Sequence, residues 1–183
     1  MLIRRPYPEV LGQRALPSET GIPRWGCFWR VISAIPEFRF GRAYTSDNLL
    51  ELYKLTCAAD NWDGSHKVLE WVAGQGRQEL HCFDPGKALQ LSLDYMNDLL
   101  PRRSRQKLKG VQTGGWDSRN NGPCGYYDWA APHEWVAMAK YFKRPNGGHF
   151  CLIYPEVEVF WNPDESLSLD PHIDYRLFWV GPQ

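Results

Sequence analysis

The most constraining feature of this chain is the stretch GGHFCLIYPEVEVFWNPDE at positions 147 to 165, two apolar runs parted by Pro155 and Glu156. Folded as an antiparallel hairpin about those two residues, it sets His149 opposite Asn162 and Leu152 opposite Val159. Side chains alternate between faces, so Phe150, Leu152, Tyr154, Val157, Val159 and Trp161 share one face, and all are apolar. That face is the expected core. The other carries His149, Cys151, Ile153, Glu158, Phe160 and Asn162, with the Cβ atoms of His149 and Asn162 ~5 Å apart. Pro-Glu is not an Asn-Gly type of turn, and a bulge or an odd-numbered loop sets Trp161 or Pro163 opposite His149 instead. The unbroken apolar face favours the even register, because a slip of one residue divides the core set between faces.

The rest of the chain must supply what this hairpin packs against. Its 183 residues suit one core and would be cramped as two, so a single domain over 1–183 is expected. Nine Trp, nine Tyr and eight Phe exceed what a disordered chain carries, and fourteen Pro with sixteen Gly imply many turns, an α+β composition rich in loops. Twenty-one basic and 21 acidic side chains leave no net field to favour nucleic acid or an anionic membrane. Five cysteines, at 27, 57, 82, 124 and 151, form no CxxC and leave one over, which argues against a disulfide framework and for a reducing cytoplasm. The N-terminus breaks at prolines before an apolar signal segment forms, and no run approaches the ~20 apolar residues of a membrane span.

Residues 1–26, rich in Pro, Gly and Arg, read as an arm without regular elements, and 27–100 as mainly helical. In CFWRVISAIP, Phe28, Val31, Ile32 and Ile35 make an amphipathic stripe that Pro36 is expected to end. A second helix follows in TSDNLLELYKLTCAAD, capped by Ser46 or Asp47, with Leu49, Leu50, Tyr53 and Cys57 on its buried face. A third starts at Asp84 as N-cap with Pro85 in the first turn. HKVLEWVAG is ambiguous. Residues 101–131 read as a long loop and 132–183 as mainly β, with HEWVAMAKYF leaning to a strand and DYRLFWV making the last one.

An oriented histidine calls for a nucleophile, and Cys27 sits where the first helix begins. Unpaired amides at a helix start, with a histidinium nearby, can lower a thiol from ~8.5 into the ~3.5–7.5 range, and thiolate is the reactive form. Gly26 leaves the sulfur uncrowded. The equally simple reading is a small buried hydrophobe. Likewise His149 reads as a satisfied strand histidine, and Asn162 before Pro163 as a strand-ending turn residue for which Asp164 is the nearest substitute.

The order of a Gly-Cys helix start, a Gly-His-Phe strand and a return strand into Trp-Asn-Pro resembles the papain-like cysteine peptidase superfamily. Within it, the likeness is to bacteriocin-leader-processing peptidases and small phage or prophage proteins. It covers these local patterns and their order, not the middle of the chain. The resemblance implies a papain-like α+β fold, with a helical part carrying the Cys27 helix packed on a C-terminal antiparallel sheet. It also implies a thiol hydrolase with Cys27 as nucleophile, His149 as base and Asn162 orienting the imidazole, without cofactor or metal. Its substrate would be a peptide or protein. A glutamine of the oxyanion hole belongs about six positions before the cysteine; this chain has Gly21 there, and Gln13 is the upstream candidate. Trp25, Gly26, Gly148, Cys151 and Trp116 are candidate cleft residues.

Other readings stand beside this one. A catalytically silent binding module, such as an inhibitor, immunity factor or phage interaction protein, fits the glycine at position 21. Arg102, Arg103, Arg105, Lys107 and Lys109 form a basic run able to bind nucleic acid, though such runs are more often solvated. His81, Cys82, Cys124 and His133 have metal-ligand chemistry but not compact zinc spacing. Trp116, Tyr126, Tyr127 and Trp129 can wall a substrate or cover the core. His172 in PHID is a weak ligand or acid/base candidate.

Overall fold

The computed structural model describes residues 9–20, 22–59, 85–105, 111–117, 122–123, 138–144, 147–153, 159–166 and 175–182. The N-terminal arm is not irregular: two 3-10 turns, Gln13–Ala15 and Ser18–Thr20, lead into a short helix α1, Ile22–Trp25. Prolines shape this path. Pro17 O accepts the Thr20 N–H at 3.1 Å and closes a turn, and Pro23 sits in the first turn of α1, where its missing N–H costs no helical bond.

Helix α2, Cys27–Phe40, begins at Cys27 as the pattern predicts but runs four residues past Pro36. An interior proline forfeits one backbone bond, and here the last turn is held by other means. Gly41 adopts the left-handed conformation (φ 67°), its N–H and that of Arg42 both bond to Glu37 O, and Glu37, Phe38 and Phe40 are buried. Every side chain of α2 except the half-buried Arg39 is buried, which marks a central helix rather than an amphipathic one at the surface.

Helix α3, Ser46–Ala59, is capped by Thr45 and not by Ser46 or Asp47. Thr45 Oγ1 accepts the Asn48 N–H at 3.2 Å while Asn48 Oδ1 accepts the Thr45 N–H at 3.1 Å, a reciprocal cap. Its buried face is Leu49, Leu52, Tyr53, Thr56 and Cys57, with Leu50 only half-buried. Helix α4, Pro85–Leu99, starts at Pro85 as expected; Asp84 and HKVLEWVAG lie outside the described residues. Trp29 Nε1 donates to Thr56 Oγ1 (3.1 Å) and Ser92 Oγ to Ser33 O (3.0 Å), so α3 and α4 are both pinned to α2. No helix among the described residues is long and apolar enough to cross a membrane.

Within 101–131 the expected loop contains strands: β1, Val111–Asp117, and β2, Gly122–Pro123. With β3 Met138–Arg144, β4 Gly147–Ile153, β5 Val159–Trp161 and β6 Tyr175–Pro182 they form an antiparallel sheet in the order β2-β1-β6-β3-β4-β5. Gly114 and Gly115 made this run look like a loop. Each lies opposite an aromatic residue of β6, Trp179 and Phe178, so a long pairing supplies what the glycines lack in propensity.

The β4–β5 pairing also departs from the even register. Leu152 pairs with Trp161 and Ile153 with Val159, with a bulge between. Relative to the expected pairing, Leu152 has moved two positions along β5, an even step, so it and Trp161 remain on a common face. Phe150 packs on Phe28 (ring centroids 4.4 Å apart) and Trp161 on Phe38 (5.7 Å), and this seats the hairpin on α2. The turn itself, 154–158, lies outside the described residues.

Candidate active site

His149 and Asn162 do meet. His149 Nε2 lies 2.7 Å from Asn162 Oδ1, with His149 almost fully buried. The orientation of the amide follows from its second partner: the backbone N–H of Asp164 donates to the same Asn162 atom at 3.0 Å, so that atom is the oxygen. An amide oxygen only accepts, hence Nε2 of His149 carries the proton and Nδ1 carries the lone pair in the neutral ring. The strand end thereby fixes which ring nitrogen of the neutral imidazole is the basic one, Nδ1.

Cys27 is the first residue of α2, and its neighbour Phe28 stacks against Phe150, the neighbour of His149. The helix start and the beginning of β4 are therefore packed together. Among the described residues no side chain caps the α2 start, and its first turn carries no acidic residue that would offset the positive end of the helix dipole. Cys27 is 8% exposed. Burial by itself favours the neutral thiol, and a helix start and a charged imidazole are the features that act the other way. Gly26 also serves the fold. A Cβ there would lie 2.6 Å from Ile22 Cγ2 and 2.8 Å from Ile22 Cα, so its missing side chain lets α1 fold back against the start of α2.

Gln13, far upstream in sequence, is brought to the same corner. Its backbone N–H donates to Pro163 O at 2.7 Å, one residue from Asn162, and its Nε2 donates to Pro23 O at 3.0 Å, in the turn that precedes Cys27. The side chain is buried, and Oε1 has no hydrogen-bond partner among the described residues. One Nε2–H is used by Pro23, which leaves the second as a donor. Gly12 makes the approach possible, since a Cβ there would sit 2.6 Å from Pro163 O.

Next to this contact, Arg14 Nε donates to Asp164 Oδ1 at 2.8 Å, and the Ser166 N–H and Oγ bond to the same oxygen at 3.2 and 2.6 Å. Burial of Asp164 pushes its pKa up, but the Arg14 and Ser166 hydrogen bonds and the Arg14 charge together outweigh it and hold the carboxyl below its usual range. Asp164 is thus committed to Arg14, and the residue on His149 is Asn162.

The remaining cleft candidates divide. Gly148 is in β4 beside His149, and Trp25 ends α1 beside Gly26. Cys151 is fully buried and lines no accessible surface. Trp116 lies in β1, three strand positions from β4 and so about 14 Å away at the usual ~4.8 Å spacing. Arg102, Arg103 and Arg105 are exposed on and beside a 3-10 turn. Lys107, Lys109, Gly21, His81, Cys82, Cys124, Tyr126, Tyr127, Trp129, His133 and His172 lie outside the described residues. Among the described residues no three His, Cys, Asp or Glu side chains cluster as metal ligands.

Sequence reasoning missed Arg14 and Arg30. Only an arginine at the position after Gln13 and another three residues after Cys27 pointed to them. Comparison of the chain with protein-family models, with curated proteins and with solved structures finds no match in any of the three.

Proposed function

We propose that this chain is a papain-like α+β thiol hydrolase that cleaves an amide or isopeptide bond through Cys27, His149 and Asn162. The observation that carries the reading is the 2.7 Å bond between His149 Nε2 and Asn162 Oδ1, which makes Nδ1 the basic nitrogen of a buried histidine. Supporting it, Cys27 opens a central helix packed on the same strand, and Gln13 stands between Asn162-Pro163 and the turn before Cys27.

In this reading His149 Nδ1 takes the Cys27 thiol proton and the thiolate attacks the substrate carbonyl carbon. The Cys27 amide and the second Nε2–H of Gln13 hold the oxyanion, and the imidazolium returns its proton to the departing amine. Water, deprotonated by His149, then attacks the thioester; the acid leaves and the thiol is restored. Peptide hydrolysis is the default outcome. Glutamine deamidation, peptidoglycan amide cleavage and acyl transfer pass through the same acyl-enzyme.

Alkylation tests the reading. At mildly acidic pH, iodoacetamide is expected to label Cys27 well ahead of Cys57, and His149→Ala to abolish the preference. Equal rates at both cysteines would leave a silent, papain-like binding module as the better reading.

A further inference from the structure

The least exposed charge described in the molecule lies three residues along α2 from Cys27. Arg30 is 0% exposed, as is its partner Glu37, whose Oε2 accepts from Arg30 Nη2 at 2.6 Å. A buried pair of this kind is rarely a net stabiliser, since well-packed apolar residues of similar volume do as well or better, while removal of one partner alone is costly. What the guanidinium gains for the fold lies in its remaining contacts. Nε donates to Leu11 O at 2.9 Å, two residues before Gln13. Nη1 donates to Ser33 Oγ at 3.1 Å, and the guanidinium carbon Cζ lies over the Trp161 ring, 5.2 Å from its centroid, one residue before Asn162.

We propose that Arg30 is the positioning residue of this site: it sets the Cys27 helix, the Gln13 strap and the Asn162 strand end in one fixed relation. The three segments come from distant parts of the chain and meet on one cation, through its N–H donors and its place over the Trp161 ring. Glu37 serves by holding that cation in place, and its other oxygen, accepting the Tyr44 N–H at 2.8 Å, fixes the carboxylate in turn. Only arginine offers a rigid fork with an Nε–H for Leu11, two terminal nitrogens for Ser33 and Glu37, and a face for the indole. A lysine keeps the charge and loses that geometry. This inference rests on the Cys27, His149 and Asn162 reading for its consequence in chemistry, but the geometric relation it asserts can be measured without any reaction.

Three variants and two readouts test it. Arg30→Met with Glu37→Leu removes both charges and is expected to fold with a melting temperature near that of the unmodified protein. Arg30→Lys retains the charge, and Leu93→Ala in the α4 core is a control that lowers stability while leaving every Arg30 hydrogen-bond partner in place. The first readout is the His149 Nε2–H resonance, expected to exchange slowly in the unmodified protein and in Leu93→Ala, and to broaden or vanish in both Arg30 variants. The second is the iodoacetamide rate at Cys27, expected to fall by about tenfold to a hundredfold in both Arg30 variants, the upper end being what an ångström of misplacement can cost. If the Arg30 variants fold and keep the Nε2–H resonance, the proposal is overturned, whatever Cys27 does. If Leu93→Ala loses the resonance as readily, Arg30 acts through stability alone and the proposal also fails. An unreactive Cys27 in the unmodified protein, with the resonance still dependent on Arg30, would overturn the hydrolase reading and leave the positioning role standing.

Discussion

Replacing Asn162 by alanine removes the acceptor of the His149 Nε2–H and also the acceptor of the Asp164 N–H. The two losses have separate signatures. The bond to His149 is worth about 0.5–1.5 kcal/mol when the ring is neutral and about 1.5–3 kcal/mol when it is charged. With His149 only 2% exposed, water replaces the lost acceptor poorly, so the charged ring loses about 1–2 kcal/mol more than the neutral one. That difference works against the thiolate–imidazolium pair by roughly 5–30-fold at a fixed pH. The expected outcome is an iodoacetamide rate at Cys27 lower by that factor near neutral pH, with Cys57 in the same sample as the internal reference and mass spectrometry as the readout. Asn162→Asp is expected to hold or raise the rate, because a carboxylate favours the imidazolium. The freed Asp164 N–H shows up instead as a loss of about 1 kcal/mol, or about 2–4 °C in melting temperature. An alanine variant that labels Cys27 within twofold of the unmodified protein would mean that Asn162 does not act on the charge state of His149.

Other expectations concern the framework. Because the Asp164 carboxyl titrates below its usual range, the Arg14–Asp164 tie contributes stability in full above the unfolded carboxyl pKa of ~3.9 and loses it as pH falls through the folded value. Asp164→Asn should therefore flatten the acid limb of a melting-temperature profile between pH ~5 and ~2.5, and parallel curves would contradict this. Gly26→Ala places a Cβ 2.6 Å from Ile22 Cγ2 and is expected to cost about 1–3 kcal/mol by denaturant titration, against near neutrality if α1 can shift. Glu37→Leu alone strands the Arg30 charge and should cost about 3–5 kcal/mol, or about 6–20 °C, in calorimetry.

The His149–Asn162 contact was legible because face parity survives an even change of register: the bulge that moved Leu152 onto Trp161 left the two residues within reach. The turn chemistry that would have located the bulge is absent from Pro155-Glu156. Cys27 at a helix start was equally legible, from a glycine before an apolar stripe. The far end of that helix was not, because Pro36 is a local stop signal and the burial of Glu37 that overrides it is tertiary. Arg30 and Glu37, seven apart, fall two helical turns apart on one face; nothing local says that they lie at the centre. Gln13 was a candidate by chemistry, but the folded path that returns it to Pro163 depends on turns at Pro17 and Pro23 and on the close approach at Gly12.

In the proposed hydrolase Cys27 and His149 share a proton, and titration of the His149 ring by NMR can detect that coupling. In the unmodified protein the imidazolium is expected to persist to a higher pH than in Cys27→Ala, because a thiolate beside the ring favours its charged form. A His149 titration that is the same with and without the Cys27 sulfur would contradict the claim.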